Sequence, residues 1–261
     1  MTGLLASVRS TAEAALAVTG GADIVDAKEP SAGALGRVEP ATLRAIVREV
    51  GGRCPVSATI GDLDLDPEFV SAAVESTADD GADIVKIGVF SGALEVTWAA
   101  LSLLTRRGLR LVAVAFADRT PDLVQLPARC AEAGFFGIML DTADKSAGPL
   151  TGHLDPEALA AFVARARTCG LVSGLAGSLR IGDIPSIAPL GADYLGFRSA
   201  LTVAGRSSGL DATALRAVRQ ALDHAEASRD RSRATAAAGA ISEASESKRG
   251  LWASMVSPKS L

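Results

Sequence analysis

Short apolar runs alternate along the chain with longer stretches in which apolar residues recur every three or four positions. The runs are LLASV (4–8), DIVDAK (23–28), PVSATI (55–60), DIVKIGVF (83–90), RLVAVAF (110–116), GIMLDT (137–142), LVSGLAG (171–177) and YLGFRS (194–199). Their length and β-branched content predict eight strands, and near-continuous apolar runs are typical of parallel strands covered on both faces. The intervening segments, such as STAEAALAVTG, PATLRAIVREVG, PEFVSAAVESTADDG and PEALAAFVARARTCG, carry helical periodicity and each closes on glycine, a common helix C-cap. Pro40, Pro67 and Pro156 directly follow Glu39, Asp66 and Asp155, which marks three helix starts.

Three helix-to-strand turns carry the same tripeptide: Gly21-Ala22-Asp23, Gly81-Ala82-Asp83 and Gly191-Ala192-Asp193. Gly134-Phe135-Phe136 is a looser version. The four turns precede the second, fourth, sixth and eighth strands, so the repeating unit is a strand followed by a helix. Eight such units in this length predict an α/β protein of the (β/α)₈ TIM-barrel class, in preference to an open doubly wound sheet. The barrel is expected over residues 1–225. From 226 to 261 the chain turns rich in Ala, Ser and charge, with few large apolar residues, and is expected to be a disordered, low-complexity tail.

Composition narrows the class of partner. Aromatic residues make up 4% of the 261 residues, so Ala, Val, Leu and Ile must build the core. The net charge of −4 gives no general attraction to nucleic acid or to an anionic membrane surface. Cys54, Cys130 and Cys169 are widely spaced and odd in number, which suggests neither a zinc site nor a disulfide framework. His153 and His224 stand alone, so no metal and no cofactor is expected. No long apolar segment is present, and a cytoplasmic setting is expected.

The lysines carry the candidate chemistry. Only five of the 26 basic residues are Lys, and two of these, Lys248 and Lys259, lie near the C-terminus. The expected barrel keeps Lys28, Lys86 and Lys145 and otherwise uses Arg. Arginine serves for ion pairs and solubility, but its guanidinium stays protonated and cannot act as an amine nucleophile. Lys28 ends the second strand, Lys86 lies in the fourth and Lys145 follows the sixth. Barrel active sites sit at the C-terminal ends of the strands, where alternate strands share layers. Asp26 lies two residues before Lys28 and so shares its face; Asp141 ends the sixth run. Ammonium groups held close depress one another's pKa, and a neutral lysine can form an imine with an aldehyde.

The loops after strands seven and eight, SGLAGSLR and GFRSA, suit a phosphate group. Gly174, Gly177 and Ser178 would bring backbone N–H groups to the anion and Arg198 a charged contact. Asp62 is the acidic residue nearest the end of strand three, and the one member of the run GDLDLDPE (61–68) expected at the site.

Several segments together resemble the (5-formylfuran-3-yl)methyl phosphate synthase family: GGADIVDAKEPSAGALG (20–36), VSATIGD (56–62), GADIVKIGVF (81–90), LDTADKSAGPL (140–150) and GLAGSL (174–179). The resemblance spans about residues 4–220. It implies a TIM barrel that condenses two molecules of glyceraldehyde 3-phosphate, with loss of phosphate and water, through a lysine Schiff base. The furan product would feed a methanofuran-type cofactor or a furan secondary metabolite. Matched motif by motif, it implies Lys28 as the nucleophile, oriented by Asp26. Lys86 and Asp141 would move protons, and Lys145 would contact phosphate or assist elimination. It also implies a homo-oligomer whose partner is a small-molecule substrate, with neither nucleic acid nor membrane. The rival readings are another Schiff-base aldolase or phosphosugar synthase, and a non-catalytic phosphosugar-binding barrel.

Overall fold

The computed structural model describes residues 2–120 and 122–231. In chain order the elements are β1 (Gly3–Val8), α1 (Thr11–Thr19), β2 (Ile24–Ala27), α2 (Pro40–Val50), β3 (Val56–Thr59), α3 (Pro67–Asp79), β4 (Ile84–Gly88) and α4 (Leu94–Arg106). Then come β5 (Leu111–Phe116), α5 (Leu126–Glu132), β6 (Gly137–Asp141), the short α6 (Leu150–His153), α7 (Pro156–Thr168), β7 (Val172–Leu175), the short α8 (Ile184–Ile187) and β8 (Tyr194–Phe197). A last helix, α9, covers 212–231. The eight strands pair in sequence order, all parallel, and β8 closes onto β1. The chain is the expected TIM barrel, and each expected strand appears: β1 begins one residue earlier, at Gly3, and the other seven are trimmed by a residue or a few. Helix α9 runs past the expected boundary at 225; the rest of the expected tail lies outside the described residues.

The period-two alternation of a strand sorts side chains into two buried layers. Leu4, Ala6, Val8, Val25, Ala27, Val85, Ile87, Ile138, Leu140, Leu195 and Phe197 face outward and pack with the helices. Leu5, Ile84, Val112, Val114, Met139 and Tyr194 form a separate inner cluster. On the even strands the same alternation turns Asp26, Lys86 and Asp141 into the barrel.

The repeated tripeptide has a mechanical explanation. In all four turns the glycine has a left-handed φ, between 75° and 99°, and the residue two later enters the sheet. The N–H groups of Asp23, Asp83, Phe136 and Asp193 donate to Leu4, Val56, Leu111 and Ser173, each at 2.9 Å. In three turns the aspartate also caps the start of the preceding strand: Asp23 accepts from Leu4 N, Asp83 from Val56 N and Asp193 from Ser173 N. Phe136 has no carboxylate, and there Arg110 lies over its ring at 5.6 Å instead. Proline-led helix starts behave as expected at Asp66 and Asp155, whose side chains accept N-terminal N–H groups; Glu39 makes no such bond.

Candidate active site

A cavity opens at the C-terminal end of the barrel, and Lys28, Lys86, Lys145, Asp26 and Asp141 all line it. Strand register builds its floor. Ser7, Asp26 and Ser57 are neighbours across β1, β2 and β3. The Ser7 hydroxyl donates to one Asp26 oxygen at 3.0 Å and the Ser57 hydroxyl to the other at 2.7 Å. Lys86 Nζ lies 2.7 Å from Asp26 Oδ1. Asp26 is therefore fully partnered, and its cation is Lys86; Lys28, which it was expected to orient, pairs with Asp141 at 3.5 Å instead.

Asp141 collects the other two amines. Its second oxygen accepts from Lys145 Nζ and from Thr142 N, and Lys145 also donates to the Thr142 carbonyl. Burial alone would raise the Asp141 pKa, but the Lys145 and Lys28 ammonium groups hold it well below the usual carboxylate range. Burial lowers the pKa of Lys145 to about 8, against the opposing pull of Asp141 and with help from the nearby Lys28. Burial also lowers that of Lys86, which Asp26 partly offsets. Two of the three amines thus give up their protons more readily than a free lysine.

The wall near β7 and β8 holds Gly177, Ser178, Ser199 and Arg206. Gly177 and Ser178 both take left-handed φ values, 105° and 49°. Their N–H groups donate to nothing among the described residues, so they are free for an anion. The other expected anion contacts lie elsewhere. Gly174 sits inside β7, where a Cβ would come within 2.3 Å of the Tyr194 ring; it is a packing glycine and not a loop residue. Arg198 reaches the cavity rim, but its guanidinium is spent on Glu13 and on the carbonyls of Ser7, Arg206 and Ser208. Those bonds hold the loop that presents Arg206, the cation the sequence reading missed. Asp62 does not line the cavity; its two oxygens accept from Ala34 and Leu35 N–H groups in the loop after β2.

Counting charges, Lys28, Lys86, Lys145 and Arg206 face Asp26 and Asp141, four cationic side chains against two carboxylates. Arg198 is neutralised by Glu13. The cavity therefore carries a surplus of positive charge within a protein of net charge −4. It can hold phosphate, and it offers several amines to a carbonyl.

Comparison with known proteins adds a second line. A family model described as 4-HFC-P synthase matches residues 4–219. A provisionally named (5-formylfuran-3-yl)methyl phosphate synthase of Methylorubrum extorquens is 47% identical over 210 residues, covering 80% of this chain and 86% of that protein. The (5-formylfuran-3-yl)methyl phosphate synthase of Methanosarcina mazei is 35% identical over 220 residues, covering 79% and 93%. Among solved structures, a 3-hexulose-6-phosphate synthase superposes with a TM-score of 0.57 at 20% identity, covering 83% of this chain and 99% of that one. Phosphoribosyl anthranilate isomerase from Thermus thermophilus does so at 0.61 and 18%, covering 86% and 99%. These two likenesses show the barrel alone.

Proposed function

The chain belongs to the (5-formylfuran-3-yl)methyl phosphate synthase family of enzymes, and from that premise we propose that it condenses two molecules of glyceraldehyde 3-phosphate into the furan phosphate. The balance is one inorganic phosphate and two waters lost. Convergence of three lysines and two aspartates in one positively charged cavity is the observation that carries this reading.

Lys28 is the nucleophile. It directly follows β2 at the cavity and has one ion pair, at 3.5 Å, whereas Lys86 is locked to Asp26 at 2.7 Å and Lys145 is shared between Asp141 and Thr142. Its amine adds to the C1 aldehyde of one triose and expels water, giving an imine. The imine acidifies C2, and loss of that proton leaves an enamine. The enamine expels phosphate from C3, leaving an enol imine whose C3 is nucleophilic. That carbon adds to C2 of the second triose once proton transfer from C2 to C1 has made C2 a ketone, the connectivity that the substitution of the furan requires. Lys86, which gives up its proton more readily than a free lysine, suits the proton transfers at C2. Asp26 orients Lys86, and Asp141 holds Lys28 and Lys145 on either side of the reacting carbons. Lys145, as an ammonium, donates to the departing phosphate oxygen. The N–H groups of Gly177 and Ser178, with Arg206, hold the phosphate that stays. Ring closure onto C2 of the imine fragment followed by two dehydrations makes the furan, and hydrolysis of the imine, which takes back the water lost in forming it, releases product and Lys28. The product would serve a furan-containing cofactor such as methanofuran, or a furan metabolite.

Incubation with glyceraldehyde 3-phosphate tests the reaction. A product absorbing in the near ultraviolet, with the mass of the furan phosphate, is expected. An aldol adduct without that absorbance would replace this reading with a class I aldolase. Borohydride trapping and peptide mapping should find the label on Lys28, and label on Lys86 instead would reverse the assignment.

A further inference from the structure

Two carboxylates outside the cavity make the same unusual contact. Asp62, just after β3, accepts from the consecutive N–H groups of Ala34 at 2.8 Å and Leu35 at 2.6 Å, one on each oxygen. Asp118, just after β5, accepts from the consecutive N–H groups of Ala143 and Asp144, again one on each oxygen and both at 2.8 Å. Neither lines the cavity. The first loop, 28–37, begins with Lys28, puts Pro30 on the cavity wall and buries Leu35 in the inner cluster. The second, 142–149, carries Lys145. Each clamp reaches the loop of the adjacent strand, β3 to β2 and β5 to β6.

The second loop depends heavily on its clamp. Apart from the bonds of Lys145 Nζ and of Thr142 N to Asp141, and the Leu150 end, its hydrogen bonds to other elements among the described residues are those of Asp118 and one 3.4 Å bond from Ser178 to the Lys145 carbonyl. Lys145 must double back over three or four residues to reach Asp141 and Thr142. That path is set by the backbone at 143 and 144, where Asp118 holds it. A carboxylate fits because both its oxygens accept. An amide would turn a donor toward one of the two N–H groups.

We propose that Asp62 and Asp118 are positioning residues, each fixing a lysine-bearing loop from the neighbouring strand so that Lys28 and Lys145 meet at Asp141. The inference rests on the reading of those lysines as the reactive amines, but its structural part can be measured without turnover.

The test is pH-dependent labelling of Lys145 by an amine-directed reagent, read by peptide mass, in the wild type and in Asp118→Asn. The groups facing Lys145 are Asp141, Lys28 and Arg206, all unchanged in the variant. Release of the loop hydrates the amine, so its labelling midpoint should rise from about 8 toward the ~10.4 of a free lysine. Lys86, in the middle of β4, should keep its midpoint. Turnover should fall about tenfold or more, mainly in kcat, since misplacement by ~1 Å can cost ~100-fold. Asp118→Glu, which keeps both oxygens, should restore part of both. An unmoved Lys145 midpoint in folded Asp118→Asn overturns the proposal. Should that variant not fold, amide hydrogen exchange in the wild type decides: slow exchange at Ala34, Leu35, Ala143 and Asp144 supports the clamps, and fast exchange there removes them. Both readouts need no substrate, so a protein that makes no furan leaves this result standing.

Discussion

Lys145 is the side chain whose ionisation most directly constrains the chemistry. With its pKa lowered to about 8 by burial, it is mainly an ammonium at neutral pH and loses its proton as pH rises through that value. If the ammonium donates to departing phosphate, kcat falls above pH ~8. Lys145→Arg keeps the charge and cannot titrate in that range. That variant should be slower, but its alkaline limb should move well above that of the wild type; a limb that stays put assigns the titration to another group. A second pair of substitutions separates Arg206 from Arg198. Arg206→Met should raise KM for the triose phosphate with little change in melting temperature. Arg198→Met strips the buried Glu13 of its shorter ion pair, leaving it only the Arg9 guanidinium at 3.5 Å and the Arg9 N–H at 2.9 Å, and frees the carbonyls of Ser7, Arg206 and Ser208, so it should lower the melting temperature first. The reverse pattern would restore Arg198 as the phosphate ligand. The identity of the three lysines was legible because a chain that otherwise uses Arg keeps them at strand ends. Their partners were not. Whether Asp26 meets Lys28 or Lys86 depends on stagger across the barrel, which no local spacing encodes. Ser7 and Ser57 left only a faint mark, single hydroxyls at inward positions of apolar strands.

At the scale of elements, β7 shows where glycine misleads. The run SGLAG reads as a loop that could approach an anion, and Gly177 does sit in one. Gly174, three residues earlier, is inside the strand and leaves room for Tyr194, whose ring fills the barrel beneath the cavity. Gly174→Ala should overpack this layer and cost ~1–3 kcal/mol, read as a lower denaturation midpoint with KM unchanged. A raised KM at full stability would return Gly174 to the anion site. The strands themselves were legible because period-two burial and β-branched runs are local properties. The Gly-Ala-Asp repeat was legible as a repeat, though not as a device: the strand-capping role of its aspartates needs the previous strand beside it. Proline-led helix starts were equally local. The loops that carry function were the least legible, since Asp62 and Asp118 act on backbone 25 to 28 residues away in the chain.

For the molecule as a whole, the question is where the folding unit ends. Helix α9 seals the seam at which the barrel closes. Its Leu215, Val218 and Leu222 are buried, Leu215 packs against Gly20 at the end of α1, Arg219 pairs with Asp23, and Glu226 accepts from Thr2 N–H. Burying three such side chains contributes roughly 5–9 kcal/mol at ~1.5–3 kcal/mol each, which is comparable to the ~5–15 kcal/mol that holds a typical domain folded. The Thr2–Glu226 bond lies beyond the expected boundary at 225 and ties β1 directly to the helix. A chain ending at 231 keeps every one of these contacts. It should match the full-length protein in melting temperature and in rate of furan formation. A chain ending at 211 loses them all and should not give a folded monomer. Loss of activity on removing 232–261 alone would mean that the catalytic unit extends past α9, and would move those residues from an expected appendage into the working enzyme.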